Sequence, residues 1–207
     1  MKVILVNGSP DRHGCTATAL AEVAAALERE GIETEMFHIG GKPISGCLGC
    51  GRCRESGQCF IDDCVNDFID RAASADGFVF GSPVYFASAN GAMTAFMDRV
   101  FYAAPREMFF MKPAAAVASA RRAGTTVTLD QLNKYFMITQ MPIVSSQYWN
   151  MVHGNTPDEV RQDLEGLQIM RTLGKNMAYM LRCLEAGRAA GVPLPARETR
   201  VATNFIR

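Results

Sequence analysis

Short apolar runs of strand length alternate along this chain with longer stretches whose apolar residues recur at helical spacing. Few architectures accept that alternation, because a strand buried on both faces needs helices above and below the sheet to cover it. The strand candidates are KVILVN, ETEMFHI, GFVFGSP, KPAAAVASA and MPIVSSQYW. Between them lie TATALAEVAAALERE, from Thr16 to Glu30 and stopped by Gly31, then DDCVNDFIDRAASA, NGAMTAFMDRVFYA and TTVTLDQLNKYFMIT. Aspartates open the second of these helices, where the helix dipole favours negative charge. The last helix is expected to start with Thr156 as its cap and Pro157 at its first position, and to reach about Ala186, interrupted only by Gly166 and Gly174.

Five strands and five helices in alternation predict an α/β fold, a flavodoxin-like doubly wound five-stranded parallel sheet with helices on both faces. At 207 residues a single domain spanning 1–207 is expected, carrying a cysteine-rich insertion at about 45–64 and a long C-terminal helix. Lysine plus arginine equals aspartate plus glutamate, 21 against 21, so neither a polyanion-binding surface nor a nucleic-acid partner is expected. The apolar run in MKVILVNGSP is too short for a signal peptide, and no run reaches the roughly 18 residues that cross a bilayer. The expectation is a cytoplasmic protein without a membrane partner. Thiols stay reduced there, and clustered cysteines read as metal or redox groups before disulfides.

In doubly wound sheets the ligand sits outside the carboxyl ends of the strands, so the loops after strands carry the functional signal. NGSPDRHGCTAT, residues 7 to 18, joins the first strand to the first helix with Gly8 and Gly14, the hydroxyls of Ser9, Thr16 and Thr18, and an exposed helix start. This is either a phosphate cradle or an ordinary capped turn; it matches neither the dinucleotide fingerprint nor the Walker loop. A second loop places Pro83, Val84, Tyr85 and Phe86 directly after a buried strand, followed by Asn90-Gly91 and a helix. Rigid proline beside exposed aromatics suits the edge or face of a flat ring.

Taken together, these two loops resemble those of the NAD(P)H-dependent FMN reductases and flavodoxin-like reductases, over roughly residues 2 to 150. In that family G-S-P-x-x-x-G-x-T cradles the FMN phosphate, and S-P-V-Y followed by N-G wraps the isoalloxazine. The resemblance implies that Ser9, Gly14 and Thr16 bind phosphate, and that Pro83, Val84, Tyr85, Phe86 and Asn90 line the flavin. Cys15 stands where asparagine is usual, which shifts weight to backbone amides and to Arg12 or His13. Asp11 stands where arginine is frequent, and its anion is expected to point outward. A third loop, SARRAGT, offers Ser119, Arg121, Arg122 and Gly124; its arginines either face the flavin N1–O2 edge or form a solvated turn. The family also implies NAD(P)H as substrate, a small-molecule electron acceptor, and a homodimer or homotetramer in which QYWNMVHGN approaches a neighbouring flavin.

The segment SGCLGCGRCRESGQCFIDDC holds five of the seven cysteines. Cys47, Cys50 and Cys53 at two-residue spacing can take three corners of one cubane, and Cys59 can close the fourth. This pattern is similar to that of the iron–sulfur flavoproteins, a branch of the same family. A [4Fe–4S] cluster, structural zinc, or a reduced loop without metal are the three readings. Cys64 and Cys183 are read as packing residues, and His38 and His153 as hydrogen-bonded residues without a catalytic partner.

Overall fold

In the computed structural model, residues 1–199, 201–203 and 205 are described. β1 (Lys2–Asn7) forms over the run Val3-Ile4-Leu5-Val6, rich in β-branched residues, and Val3 to Val6 are fully buried. It turns through the first loop into α1 (Cys15–Arg29), which ends at Gly31 in the left-handed region with φ 76°. β2 (Glu33–His38) follows, then the cysteine segment with its single turn α2 (Cys53–Ser56). α3 (Cys64–Ala72) is capped by Asp63, whose carboxylate accepts from the Val65 amide at 3.0 Å. β3 (Gly77–Tyr85) runs through the middle of the molecule into the two-residue β4 (Ser88–Ala89), and α4 (Gly91–Ala103) starts at Asn90. β5 (Ala114–Ala120), α5 (Thr125–Ile138), β6 (Met151–His153), α6 (Pro157–Gln162) and α7 (Leu164–Ala189) complete the chain.

The sheet order is β2-β1-β3-β5-β6, all parallel, with β4 folding back antiparallel on the end of β3. Counting the parallel strands alone gives the flavodoxin-like order with the switch point at β1 and β3, as the alternation predicts. One face of the sheet is covered by α3, α4 and α5 through an aromatic cluster. In it Phe68 meets Phe37, Phe78, Phe80 and Phe96 at centroid distances of 5.2 to 6.0 Å. The other face is aliphatic and is covered by α1 and α7. Among the described residues no helix is long and apolar enough to cross a membrane.

Three details differ from the sequence expectation. MPIVSSQYW does not form the fifth strand: among the described residues its pairing with the sheet is the isolated Ala114–Ile143 bridge, and Met151–His153 takes the edge position beside β5. Between the two, Ser146 accepts from Tyr148 N and donates its hydroxyl to the Tyr148 carbonyl or the Asn150 side chain, a local turn that competes with ladder bonds. The last helix is broken at Asp163, not at a glycine. The Asp163 carboxylate accepts from the amides of Gly166 at 2.9 Å and His153 at 2.6 Å, capping α7 and tying it to β6. α7 continues through Gly174, where a Cβ would lie 2.6 Å from Ala26 Cβ and 2.8 Å from the Val23 carbonyl, so that glycine lets α1 and α7 approach. Cys183 is exposed rather than packed, because at about 100° per residue it lies some 200° around α7 from buried Leu181.

Candidate functional site

The loops at the carboxyl edge are bonded to one another. Gly8 N donates to Gly81 O at 2.8 Å, joining the ends of β1 and β3. Asn90, 3% exposed, donates from Nδ2 to Gly8 O at 2.6 Å, while its Oδ1 accepts from Met93 N as the cap of α4. Thr16 and Ser119 share a hydroxyl–hydroxyl bond of 2.7 Å that ties the first loop to the third. Gly124, at φ 92°, approaches the second loop so closely that a Cβ would meet Ala87 Cα at 2.6 Å. The loop after β2 leans on the first as well: His38 Nε2 donates to Ser9 O at 2.9 Å, and Gly40 has no room for a Cβ, which would lie 2.0 Å from that carbonyl.

Within the first loop Ser9 is buried and its hydroxyl accepts from Asp11 N at 3.1 Å. Asp11 is exposed, yet its carboxylate turns back to accept from His13 N at 2.9 Å. Gly14 is the cap of α1 and supplies no side-chain bond, so among the described residues the first-turn amides have no capping side chain. The Cys15 thiol is directed at Gly154 O, 3.6 Å away, and burial pushes its pKa up. Arg12 and His13 are exposed, Arg12 on a cleft shared with His38, Lys42 and the acidic start of α3.

On the second loop Pro83 and Val84 are half-buried, Tyr85 is 49% exposed, and the Phe86 side chain stands free in solvent. Phe86 and Ala87 hold φ values of 51° and 59°, an uncommon conformation for side-chain-bearing residues that the β3–β4 pairing maintains. Arg121 and Arg122 are exposed and form no ion pair among the described residues. The Arg122 carbonyl accepts from His153 Nε2 at 3.1 Å.

Cys47, Cys50, Cys53 and Cys59 line one hollow, walled by Leu48, Phe60, Ile61, Tyr102 and Ala103. Gly49, Gly51 and Gly57 take positive φ values of 63°, 71° or 73°, and these left-handed turns let the segment double back around it. Cys53 is buried, and its thiol pKa is raised first by burial and then by the nearness of Cys59, Cys50 and Cys47. Among the described residues no three histidine, cysteine, aspartate or glutamate side chains stand close enough together to hold an ion as they are. Cys64 lies outside the hollow, packed against the aromatic core, and burial raises its pKa.

A chain with this strand order, and with G-S-P-x-x-x-G-x-T and S-P-V-Y at adjoining strand ends, matches the NADPH-dependent FMN reductase family over residues 1–156. The chain belongs to that family. It is 33% identical to an iron–sulfur flavoprotein of Methanocaldococcus jannaschii, over 89% of this chain and 100% of that protein. It is 29% identical to an iron–sulfur flavoprotein of Archaeoglobus fulgidus, over 88% of this chain and 98% of that one. Among solved structures it resembles a flavone reductase, with a TM-score of 0.71, 17% identity and coverage of 89% and 64%. It also resembles an archaeal flavodoxin, with a TM-score of 0.60, 15% identity and coverage of 88% and 99%.

As a member of the FMN reductase family the chain is a flavoprotein oxidoreductase, and its loops suit the flavin in two respects. The uncapped first turn of α1 faces the edge where an anion would bind, and Gly8, Gly40 and Gly124 bring backbone to within contact of backbone around it. The cysteine hollow suits an iron–sulfur group by donor chemistry, with four thiols between apolar side chains and the Arg99 guanidinium, a cation beside thiolate ligands. Sequence reasoning missed Arg99 of α4. Fully buried, it donates from Nε to Cys59 Sγ at 3.2 Å and grips Asp63 at 2.6 and 2.9 Å. The only sequence signal is a charge inside the apolar stripe Phe96, Met97, Val100 and Ala103.

Proposed function

We propose that the protein accepts hydride from NAD(P)H on bound FMN and passes the electrons to a small-molecule acceptor, with a [4Fe–4S] cluster held by Cys47, Cys50, Cys53 and Cys59. The observation that carries this is the convergence of those four cysteines on one apolar hollow against α4, the helix whose cap Asn90 also braces the first loop. Ser9, Arg12, His13, Gly14, Cys15 and Thr16 would hold the phosphate, chiefly through the backbone N–H groups of Cys15 and Thr16, since the Thr16 hydroxyl is shared with Ser119. Pro83, Val84, Tyr85 and Phe86 would flank the ring, with Asn90 and Gly124 keeping that wall in place. Bound FMN supplies two-electron exchange with a nicotinamide and one-electron exchange with a metal centre. Arg121 would add positive charge at the open side of the ring. Two-subunit or four-subunit assembly would cover the exposed Phe86, Tyr148 and Trp149.

A second reading is an electron relay between protein partners with no nicotinamide turnover. It is favoured by Cys47 and Cys50, both exposed, which would leave a cluster open to a docking protein. The discriminating experiment measures FMN and iron per chain in anaerobically purified protein, then mixes it with NADH or NADPH under argon. Bleaching of the flavin bands within seconds supports the reductase; a protein that binds flavin but is reduced only by dithionite supports the relay. Protein that retains no FMN after reconstitution and desalting would sink both readings.

A further inference from the structure

We propose that Arg99 is a positioning residue of the cysteine site: its guanidinium fixes the sulfur of Cys59 as the fourth ligand and tunes the electron affinity of the group the thiolates carry. The inference rests on the cluster reading above. Arginine is rarely fully buried, and here it occupies the core-facing stripe of α4 with its side chain at 0% exposure. All five of its N–H donors find partners. Nε donates to Cys59 Sγ at 3.2 Å; one terminal nitrogen donates to Asp63 Oδ2 at 2.6 Å and Ser45 O at 3.4 Å; the other donates to Asp63 Oδ1 and Ile61 O, both at 2.9 Å. The fork therefore grips the start of the cysteine segment, its end, and the one cysteine in between that needs placing.

Cys59 differs from the other three. Cys47, Cys50 and Cys53 share a two-residue spacing, whereas Cys59 follows the left-handed turn at Gly57. Its backbone is clamped from α3, with Cys59 N donating to Asn66 Oδ1 at 2.7 Å and Asn66 Nδ2 donating to Cys59 O at 2.9 Å. Arg99 clamps the sulfur from α4. A buried Arg–Asp pair contributes little net stability over a well-packed apolar side chain, since desolvation offsets the attraction. What methionine at this position would lack is a directed N–H bond and a cation at the sulfur. Both favour the more negatively charged, reduced state of a thiolate-bound iron–sulfur group, so removing them lowers its midpoint potential.

The test uses full-length protein carrying Arg99→Lys or Arg99→Met, prepared anaerobically beside the wild type. FMN per chain, iron per chain and the midpoint potential, followed by absorbance outside the flavin bands, are measured for each. Arg99→Lys keeps a cation but loses the fork, so FMN should stay equimolar while iron falls by more than half. In Arg99→Met, which loses both the N–H bond and the cation, the remaining cluster should be harder to reduce by about tenfold in its equilibrium, about 59 mV for one electron. In Arg99→Lys the shift should have the same sign and be smaller. Should Arg99→Met not fold, Arg99→Lys carries the test. Unchanged iron and potential in Arg99→Lys overturn the inference, and so does a parallel loss of FMN and iron, which marks Arg99 as a plain core residue. Wild-type protein that binds FMN but no iron overturns the cluster reading and this inference with it, a result distinct from either of the others.

Discussion

Gly124→Ala adds one methyl group at the point where the third loop presses on the second. Two effects are separable there. A left-handed residue with a Cβ costs about 1–2 kcal/mol, and Gly124 sits at φ 92°. Overpacking adds about 1–3 kcal/mol when neighbours cannot yield. Val84 Cγ1, 2.8 Å from the new Cβ, can rotate away, but Ala87 Cα at 2.6 Å is backbone already held at φ 59°. The sum is a loss of about 2–5 kcal/mol. Gly31→Ala isolates the conformational part, because Gly31 has φ 76° with nothing within 4 Å; it should cost about 1–2 kcal/mol. Gly41→Ala meets nothing within 4 Å and has no positive φ, so it should fall within about 0.5 kcal/mol of wild type.

Urea unfolding of the flavin-free proteins, with midpoint and slope fitted separately, reads these differences directly. If the Phe86–Ala87 turn shifts to relieve the clash, stability recovers but the wall beside the flavin moves. FMN affinity measured by fluorescence quenching should then weaken about tenfold for each 1.4 kcal/mol absorbed. Gly124→Ala as stable as Gly31→Ala, with FMN affinity unchanged, refutes the claim that Gly124 sets the spacing of the two loops.

Tyr85→Ala removes a half-exposed ring, so stability should hold while FMN binding weakens or the flavin potential moves; equal affinity and potential would return Tyr85 to the surface. Cys50→Ser should strip most of the iron from anaerobic protein, whereas Cys64→Ser and Cys183→Ser, both outside the hollow, should leave it; elemental analysis decides. Glu35 bonds Lys2 at 2.7 Å and Arg71 at 2.5 Å, and these bonds, Lys2 first and against opposing burial, hold its carboxyl below the ordinary value of 4.5. A lowered folded value means that its stabilisation is present above that ordinary value and is lost as pH falls through the folded one. Urea midpoints from neutral pH downward should therefore decline in the wild type and flatten on the acid side in Glu35→Gln; identical acid profiles would refute the linkage.

The sequence by itself determined the layer architecture, because buried parallel strands and covering helices are written in local periodicity: KVILVN and GFVFGSP are apolar throughout, and the helices between them repeat at helical spacing. The first and second loops and the four cysteines stand out as short motifs, but spacing leaves the first loop as cradle or plain turn and the cysteines as cluster, zinc or bare thiols. The flavin roles of the loops come from family resemblance. What only the tertiary structure decided is carried by bonds between residues far apart in the chain. Asp163 breaks the last helix because its carboxylate has a second donor at His153, and the fifth strand is displaced because the segment before it closes its own turn at Ser146. Asn90 caps its helix locally, yet reaches Gly8 across 82 positions. Arg99 looks like a flaw in an apolar stripe until Cys59, 40 residues earlier, and Asp63 are brought to its guanidinium. Hydrophobic pattern reports which face a residue turns inward, but the partner that a buried polar group meets there depends on how separate elements pack, and a linear sequence holds no such distance.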